Sequence, residues 1–167
     1  MGVLKVCLPA PMLAKALPER WVVQPSATMM TAPLGKVERE ISLPRGYSLS
    51  TRAEGAALVV IVAGPDGADA ASGRLIRSGG HAVFDRIETD AAHRRLGLGR
   101  GVMAALTVVA LERGVNAGVL VATSAGRWLY EAIGWDKHAA YTTAVIPGLE
   151  SPPAAPRASR ASHLNQG

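Results

Sequence analysis

Thr89-Asp90-Ala91-Ala92-His93-Arg94-Arg95-Leu96-Gly97-Leu98-Gly99-Arg100-Gly101 is the stretch on which the reading of this chain turns. Before it, Ala82 to Thr89 reads as an extended strand. After it, Leu98, Val102, Ala105, Leu106 and Val109 recur at helical spacing, and Gly114 marks a stop. The quoted residues therefore join a strand to the start of a helix. A helix N-terminus presents unpaired N–H groups and the positive end of the macrodipole, and glycines let the backbone approach an anion without a Cβ in the way. Arg94, Arg95 and Arg100 add charge, so a pyrophosphate fits there.

Two familiar phosphate loops fail on spacing. A P-loop requires Gly-Lys-Ser/Thr, which the chain lacks. A dinucleotide fingerprint requires a third glycine where Val102 stands, and an acidic residue closing the next strand, which instead ends Val121-Ala122-Thr123.

Working outward, Tyr47 to Thr51, Leu58 to Ala63 and Ser72 to Arg77 read as strands preceding Ala82 to Thr89. Gly64-Pro65-Asp66-Gly67 and Ser78-Gly79-Gly80 mark two of the reversals. Short connections predict an antiparallel meander. Gly118 to Ala122 is a short apolar run typical of a strand covered on both faces, and the crossover should set it parallel to Ala82 to Thr89. A second helix is expected from about Ala125 to Ile133, capped by Thr123 or Ser124 and followed by Gly134. Trp135 to Ile146 reads as a closing extended segment. The fold class is α/β (α+β): a mixed sheet, with an antiparallel meander, then a parallel βαβ crossover, then a second helix. Residues 45–148 form this domain. Residues 1–44 carry six prolines, a candidate helix near Met12 to Leu17 and extended chain at Trp21 to Gln24, without a fold that the pattern fixes. Residues 149–167, rich in Pro, Ala, Ser and Arg, have no apolar period and are expected to be a disordered tail.

An apolar fraction of 49% over 167 residues suits one folded core. The lone cysteine, Cys7, forbids an intrachain disulfide and favours a reducing cytoplasm. No apolar run approaches the roughly 20 residues of a membrane-spanning helix, so no membrane association is expected. The formal charge of +5 suggests an anionic partner. Its clustering in one loop suits a compact polyphosphate better than nucleic acid, for which a basic stripe would be expected. His81, His93 and His138 lack metal-ligand spacing, and no metal is expected.

What remains of the loop is R-x-x-G-x-G, met by Arg94, Gly97 and Gly99. It resembles the acetyl-coenzyme A signature of the GNAT (GCN5-related) N-acetyltransferases. Downstream, Leu129-Tyr130-Glu131-Ala132-Ile133-Gly134-Trp135 is similar to that family's L-Y-x-x-x-G-F segment, with Trp135 for Phe. Thr123 and Gly126 replace the frequent Asn and Ala. The two helices that usually precede the family's second strand have no counterpart in the pattern, so acceptor recognition is expected to depart from the usual build.

The resemblance implies acetyl-CoA as co-substrate and direct attack by an amine acceptor of a small molecule or peptide, with no covalent enzyme intermediate. Backbone groups of Ile87, Glu88 and Thr89 would pair with the pantetheine arm. The amides of Arg95, Leu96, Gly97, Leu98, Gly99 and Arg100 would bind the pyrophosphate, with Gly101 ending the loop, Arg94 adding charge and Thr123 near the coenzyme. Tyr130 matches the tyrosine facing the coenzyme sulfur. Asp85 and Glu88 are the candidate general bases. Strand alternation puts them on opposite faces, so that one faces the cleft; deprotonation through water stays open. A non-catalytic acyl-CoA sensor or scaffold of the same fold is the alternative function, and a homodimer is compatible with either.

Overall fold

The computed structural model describes residues 2–148; the expected tail, 149–167, lies outside them. In chain order the elements are β1 (Val3–Val6), α1 (Ala10–Ala16), β2 (Val22–Val23), β3 (Ala27–Pro33), β4 (Ser48–Glu54), β5 (Ala57–Ala63), β6 (Asp69–Ser78), β7 (His81–Thr89), α2 (Leu98–Glu112), β8 (Ala117–Ala122), α3 (Arg127–Ala132) and β9 (Asp136–Val145). Short 3-10 turns occupy Leu34–Lys36 and Ala91–His93.

The meander from β4 to β7 is antiparallel throughout. Gly79, at φ +56°, lets Ser78 and His81 pair across a two-residue turn, a conformation in which a side chain would be strained. β7 and β8 then pair in parallel, but only from His81–Ala117 to Phe84–Leu120. The sheet has nine strands in the order β1-β9-β3-β8-β7-β6-β5-β4, with β2 also on β9. The fold is thus the expected mixed sheet, antiparallel first and parallel at the crossover.

One arrangement was not legible in the pattern. The proline-rich N-terminal segment is woven into the sheet: β3 lies between β8 and β9, antiparallel to both. β4 and β5 are joined by a tight turn in which Glu54 pairs with Ala57, so no helices intervene between them. The connection from β3 to β4 instead crosses the outside of α2, with Leu43 against Gly101 and Glu38 paired to Arg100 at 3.5 Å.

The core lies on one face of the sheet. Val60, Val62, Leu75, Ala82, Phe84, Leu120 and Met30 from the strands meet Val102, Leu106 and Ala110 of α2, together with Ile133 and Trp135. Packing is close enough to exclude a Cβ at Gly73, which would sit 2.6 Å from Ile87 and Val102, and at Gly118, which would sit 2.6 Å from Leu34 and Trp135. The opposite face is more open. β8 alternates between buried residues and the partly exposed Ala117, Val119 and Val121, so the double coverage expected of this strand is not present in the single chain.

Candidate functional site

A cleft opens where β7 and β8 part. Beyond Phe84–Leu120 the two strands share no pairing, whereas β7 continues on β6 through Ser72–Glu88 and Ala71–Thr89. The edge of β7 from Asp85 to Thr89 that faces β8 is thereby released for another partner. A β-bulge contributes to the parting. Arg74 pairs with Asp85 and Ser72 with Glu88, so three steps on β7 match two on β6, and Arg86 takes φ +52°.

The bulge corrects the expectation from strand alternation. Cross-strand partners share a face, and Ser72 and Arg74 are two residues apart. Asp85 and Glu88 therefore lie on the same face, and both line the cleft. Their environments differ. Asp85 Oδ2 accepts from Arg74 Nη2 at 2.6 Å and has Arg86 Nε at 3.8 Å. Glu88 is exposed and lines both parts of the cleft.

The larger part, about 970 Å³, is bounded by Ile87, Glu88, Thr89, Arg94, Arg95, Gly97, Leu98, Gly99 and Arg100 on one side and by Ala125, Gly126 and Leu129 on the other. Gly97 caps α2 in the left-handed region at φ +78°, and Arg95 shares that region at +62°. The N–H groups of Leu98, Gly99 and Arg100 belong to the helix's first turn and have no acceptor within it. A Cβ on Gly99 would lie 3.2 Å from Leu129 Cδ2 and 3.7 Å from Thr89 Oγ1, so bare backbone faces the cleft at its narrow point. The preceding turn is held by Asp90 accepting from the Ala92 amide and by a 2.8 Å hydrogen bond between Tyr47 Oη and His93 Nδ1.

The smaller part, about 530 Å³, opens on the other side of the sheet between Asp85, Val83, Val119 and Val121, with Lys5, Tyr141 and Thr143 farther out and Tyr130 and Thr123 beside it. Tyr130 is buried, and burial raises its phenol above the ordinary value near 10. Thr123 holds the turn into α3: its hydroxyl accepts from the Gly126 amide at 3.1 Å, while Gly126 occupies the N-cap position expected for Thr123 or Ser124.

The structure thus gathers Asp85, Ile87, Glu88, Thr89, Arg94, Arg95, Gly97, Leu98, Gly99, Arg100, Thr123 and Tyr130 around one cleft. Two predicted residues stand apart. Leu96 faces a separate hollow with Glu38 and Glu40, and Gly101 packs against Leu43. Sequence reasoning missed Arg74, Lys5, Tyr141 and Thr143. Arg74 was findable, because counting outward from the Gly79-Gly80 turn sets it opposite Asp85. Lys5 depends on β1 pairing with β9, and Tyr141 and Thr143 on β9 pairing with β3, which no local pattern announces. Among the described residues, no His/Cys/Asp/Glu group could hold a metal ion, and no helix is long and apolar enough to cross a membrane.

The fold recurs in solved structures. The chain is similar to a GCN5-related N-acetyltransferase from Kribbella flavida, with 16% identity, TM-score 0.64, and 77% of this chain and 60% of that one covered. It is similar to another from Sphaerobacter thermophilus, with 12% identity, TM-score 0.66, and coverage of 85% and 58%. The chain has the GCN5-related N-acetyltransferase fold. A tandem GNAT protein from the clavulanic acid biosynthesis pathway shares this fold at 15% identity and TM-score 0.59, with coverage of 78% and 55%. The chain thus spans between 55% and 60% of the length of these three GNAT-fold structures. No protein-family profile matches the chain, and no curated protein matches it in sequence.

Proposed function

We propose that this chain is an acetyltransferase that takes acetyl-CoA as donor and an amine as acceptor. The observation that carries the reading is the parting of β7 from β8 beside a glycine-capped helix start, with Tyr130 lining the gap. The residues present fit the coenzyme. The first-turn amides of α2, with Arg94 and Arg95, would hold the pyrophosphate, and the bare backbone at Gly99 leaves room for it. The released edge of β7 at Ile87, Glu88 and Thr89 would pair with the pantetheine amides, and Thr123 stands beside the far end of that path.

The bound coenzyme supplies a thioester whose carbonyl carbon the amine attacks, the C–N bond forming as the C–S bond breaks. Glu88, the cleft carboxylate not tied by an arginine, would accept the amine proton, directly or through water. Tyr130 would stabilise the departing sulfur. Full proton transfer from a phenol of pKa about 10 to a thiolate of about 8.5 is uphill by about 2 kcal/mol. Burial of Tyr130 makes it costlier still, so the phenol acts as a hydrogen-bond donor to sulfur. We assign the activity to a reducing, cytoplasmic setting on the strength of the single free thiol, Cys7.

One observation favours the sensor reading: Asp85, one of the two candidate bases, is already occupied by a 2.6 Å hydrogen bond from Arg74. The two readings separate by experiment. Acetyl-CoA should raise the melting temperature where NAD does not, and a panel of amines and peptides assayed by thiol release should include a substrate. Coenzyme binding without turnover on any amine would leave the sensor; no binding would overturn both.

A further inference from the structure

The residues of β5, Ala57-Leu58-Val59-Val60-Ile61-Val62-Ala63, and of β8, Ala117-Gly118-Val119-Leu120-Val121-Ala122, are apolar on both faces of their strands. That composition belongs to strands covered on both sides, whereas a sheet face left to water alternates to polar residues. Only one face carries the core. On the other, the pairing register aligns Ala57, Ile76, Val83, Val119 and Thr31 in one row across five strands. Val3, Val145 and Val22 make a second row on β1, β9 and β2. Ile76, Val83 and Val119 are only partly buried, while Val121, Val3 and Val22 are 45%, 38% and 45% exposed. The tight turn between β4 and β5 leaves no intervening segment to cover this face.

We propose that a second copy of this chain covers it, sheet against sheet, and roofs the smaller part of the cleft. A two-fold contact brings a patch against itself, which a patch of one charge sign resists. This face carries both signs, with Lys5, Arg52 and Arg74 against Glu54, Asp85 and Glu88, although the whole chain is +5. Arg52 pairs with Glu54 at 3.8 Å and Arg74 with Asp85 at 2.6 Å within the chain, so the face offers an acidic or basic partner no single sign to read, and two identical faces meet without net repulsion. Eight strands about 4.8 Å apart, presenting roughly 20 Å of their length, offer on the order of 700 Å² per subunit. A standard stable interface needs about 800 Å² per partner. The dimer stands independently of the acetyl-transfer reading; only the roofing of an acceptor site rests on it.

Sedimentation velocity and light scattering on the full chain, without coenzyme, test the dimer. The expected result is twice the chain mass of 17.3 kDa at micromolar concentration. Ile76→Arg and Val3→Arg, both outside the cleft, should each weaken association at least tenfold while circular dichroism stays native. A soluble paramagnetic agent gives a second measure on wild type: methyls of Ile76, Val83 and Val119 should be shielded, while Met12 on α1, 58% exposed, should be broadened. A monomer at every concentration, methyls on this face broadened like Met12, or a dimer indifferent to both substitutions in folded protein would each overturn the proposal. If the dimer holds and no coenzyme binds, the interface survives and the enzymatic reading fails.

Discussion

Gly99 offers a perturbation whose effects on folding and on binding should have opposite signs. It sits in the first turn of α2 with ordinary helical backbone, so a side chain meets no torsional strain there. Alanine at a helix position gains up to about 1 kcal/mol over glycine, somewhat less near an end. Its Cβ would lie 3.2 Å from Leu129 Cδ2, the flexible end of a side chain that can yield a few tenths of an ångström. Gly99→Ala should therefore melt at or slightly above the wild-type temperature. Gly99→Val adds two methyls beyond that Cβ, between Leu129 and Thr89, where the coenzyme must reach the helix amides. Each charge-assisted hydrogen bond is worth about 1.5–3 kcal/mol, so losing two should weaken acetyl-CoA by about 10²–10⁴-fold. Calorimetric titration of both variants, beside their thermal melts, measures this. A folded Gly99→Val that binds acetyl-CoA with wild-type affinity would refute the assignment of this loop as the donor site.

Tyr130→Phe should keep coenzyme affinity but lower turnover at least tenfold, since a positioned donor contributes about 10²–10⁴-fold; equal rates by thiol release would exclude the role. The same variant tests pH linkage. A phenol whose folded pKa is raised contributes stability that is complete below about 10 and is lost as pH rises beyond it, so wild type should lose melting temperature there faster than Tyr130→Phe. Glu88→Gln should depress turnover at least tenfold, and Asp85→Asn, whose parent is already held by Arg74, should depress it less; the reverse order in initial rates would transfer the base to Asp85. Gly118→Ala forces a Cβ to within 2.6 Å of Leu34 and Trp135. It should cost about 1–3 kcal/mol, read as a fall in chemical-denaturation midpoint, and an unchanged midpoint would mean that this packing is looser than it stands here.

What could be read from the sequence was local. Four meander strands, the Gly97 helix entry and the Gly114 stop are each signalled by a few adjacent residues, and the corresponding elements lie close to their expected places. The course of residues 1–44 was not legible. β3 is held by β8 and β9, whose paired residues run from Ala117 to Tyr141, and its seven residues carry no pattern that names partners so distant in sequence. β2 consists of two residues and is defined only by β9. The site was divided in the same way. Arg94, Gly97, Gly99 and Tyr130 were visible as motif positions, whereas Lys5 and Tyr141 reach the cleft only because the N-terminus joins the sheet. The face of Glu88 was misjudged because alternation presumes an unbroken strand, and nothing in Asp85-Arg86-Ile87-Glu88 announces a bulge.

Among the described residues, the two non-glycine residues with left-handed backbone are Arg86, which lines the smaller part of the cleft, and Arg95, which lines the larger. A side chain in that region costs roughly 1–3 kcal/mol, which the surrounding structure must offset. At Arg86 the distortion adds a residue to β7, turns Glu88 onto the face of Asp85, and falls where pairing with β8 ends. At Arg95 it lies two residues before Gly97, which is also left-handed, and so bends the loop into the first turn of α2. Neither position is needed to close the core, which is built from regular strands and α2. Each shapes an opening that a simpler hairpin or helix start would lack. Two unrelated backbone distortions that converge on one cleft are better explained by a ligand threading between β7 and β8 than by the requirements of folding alone.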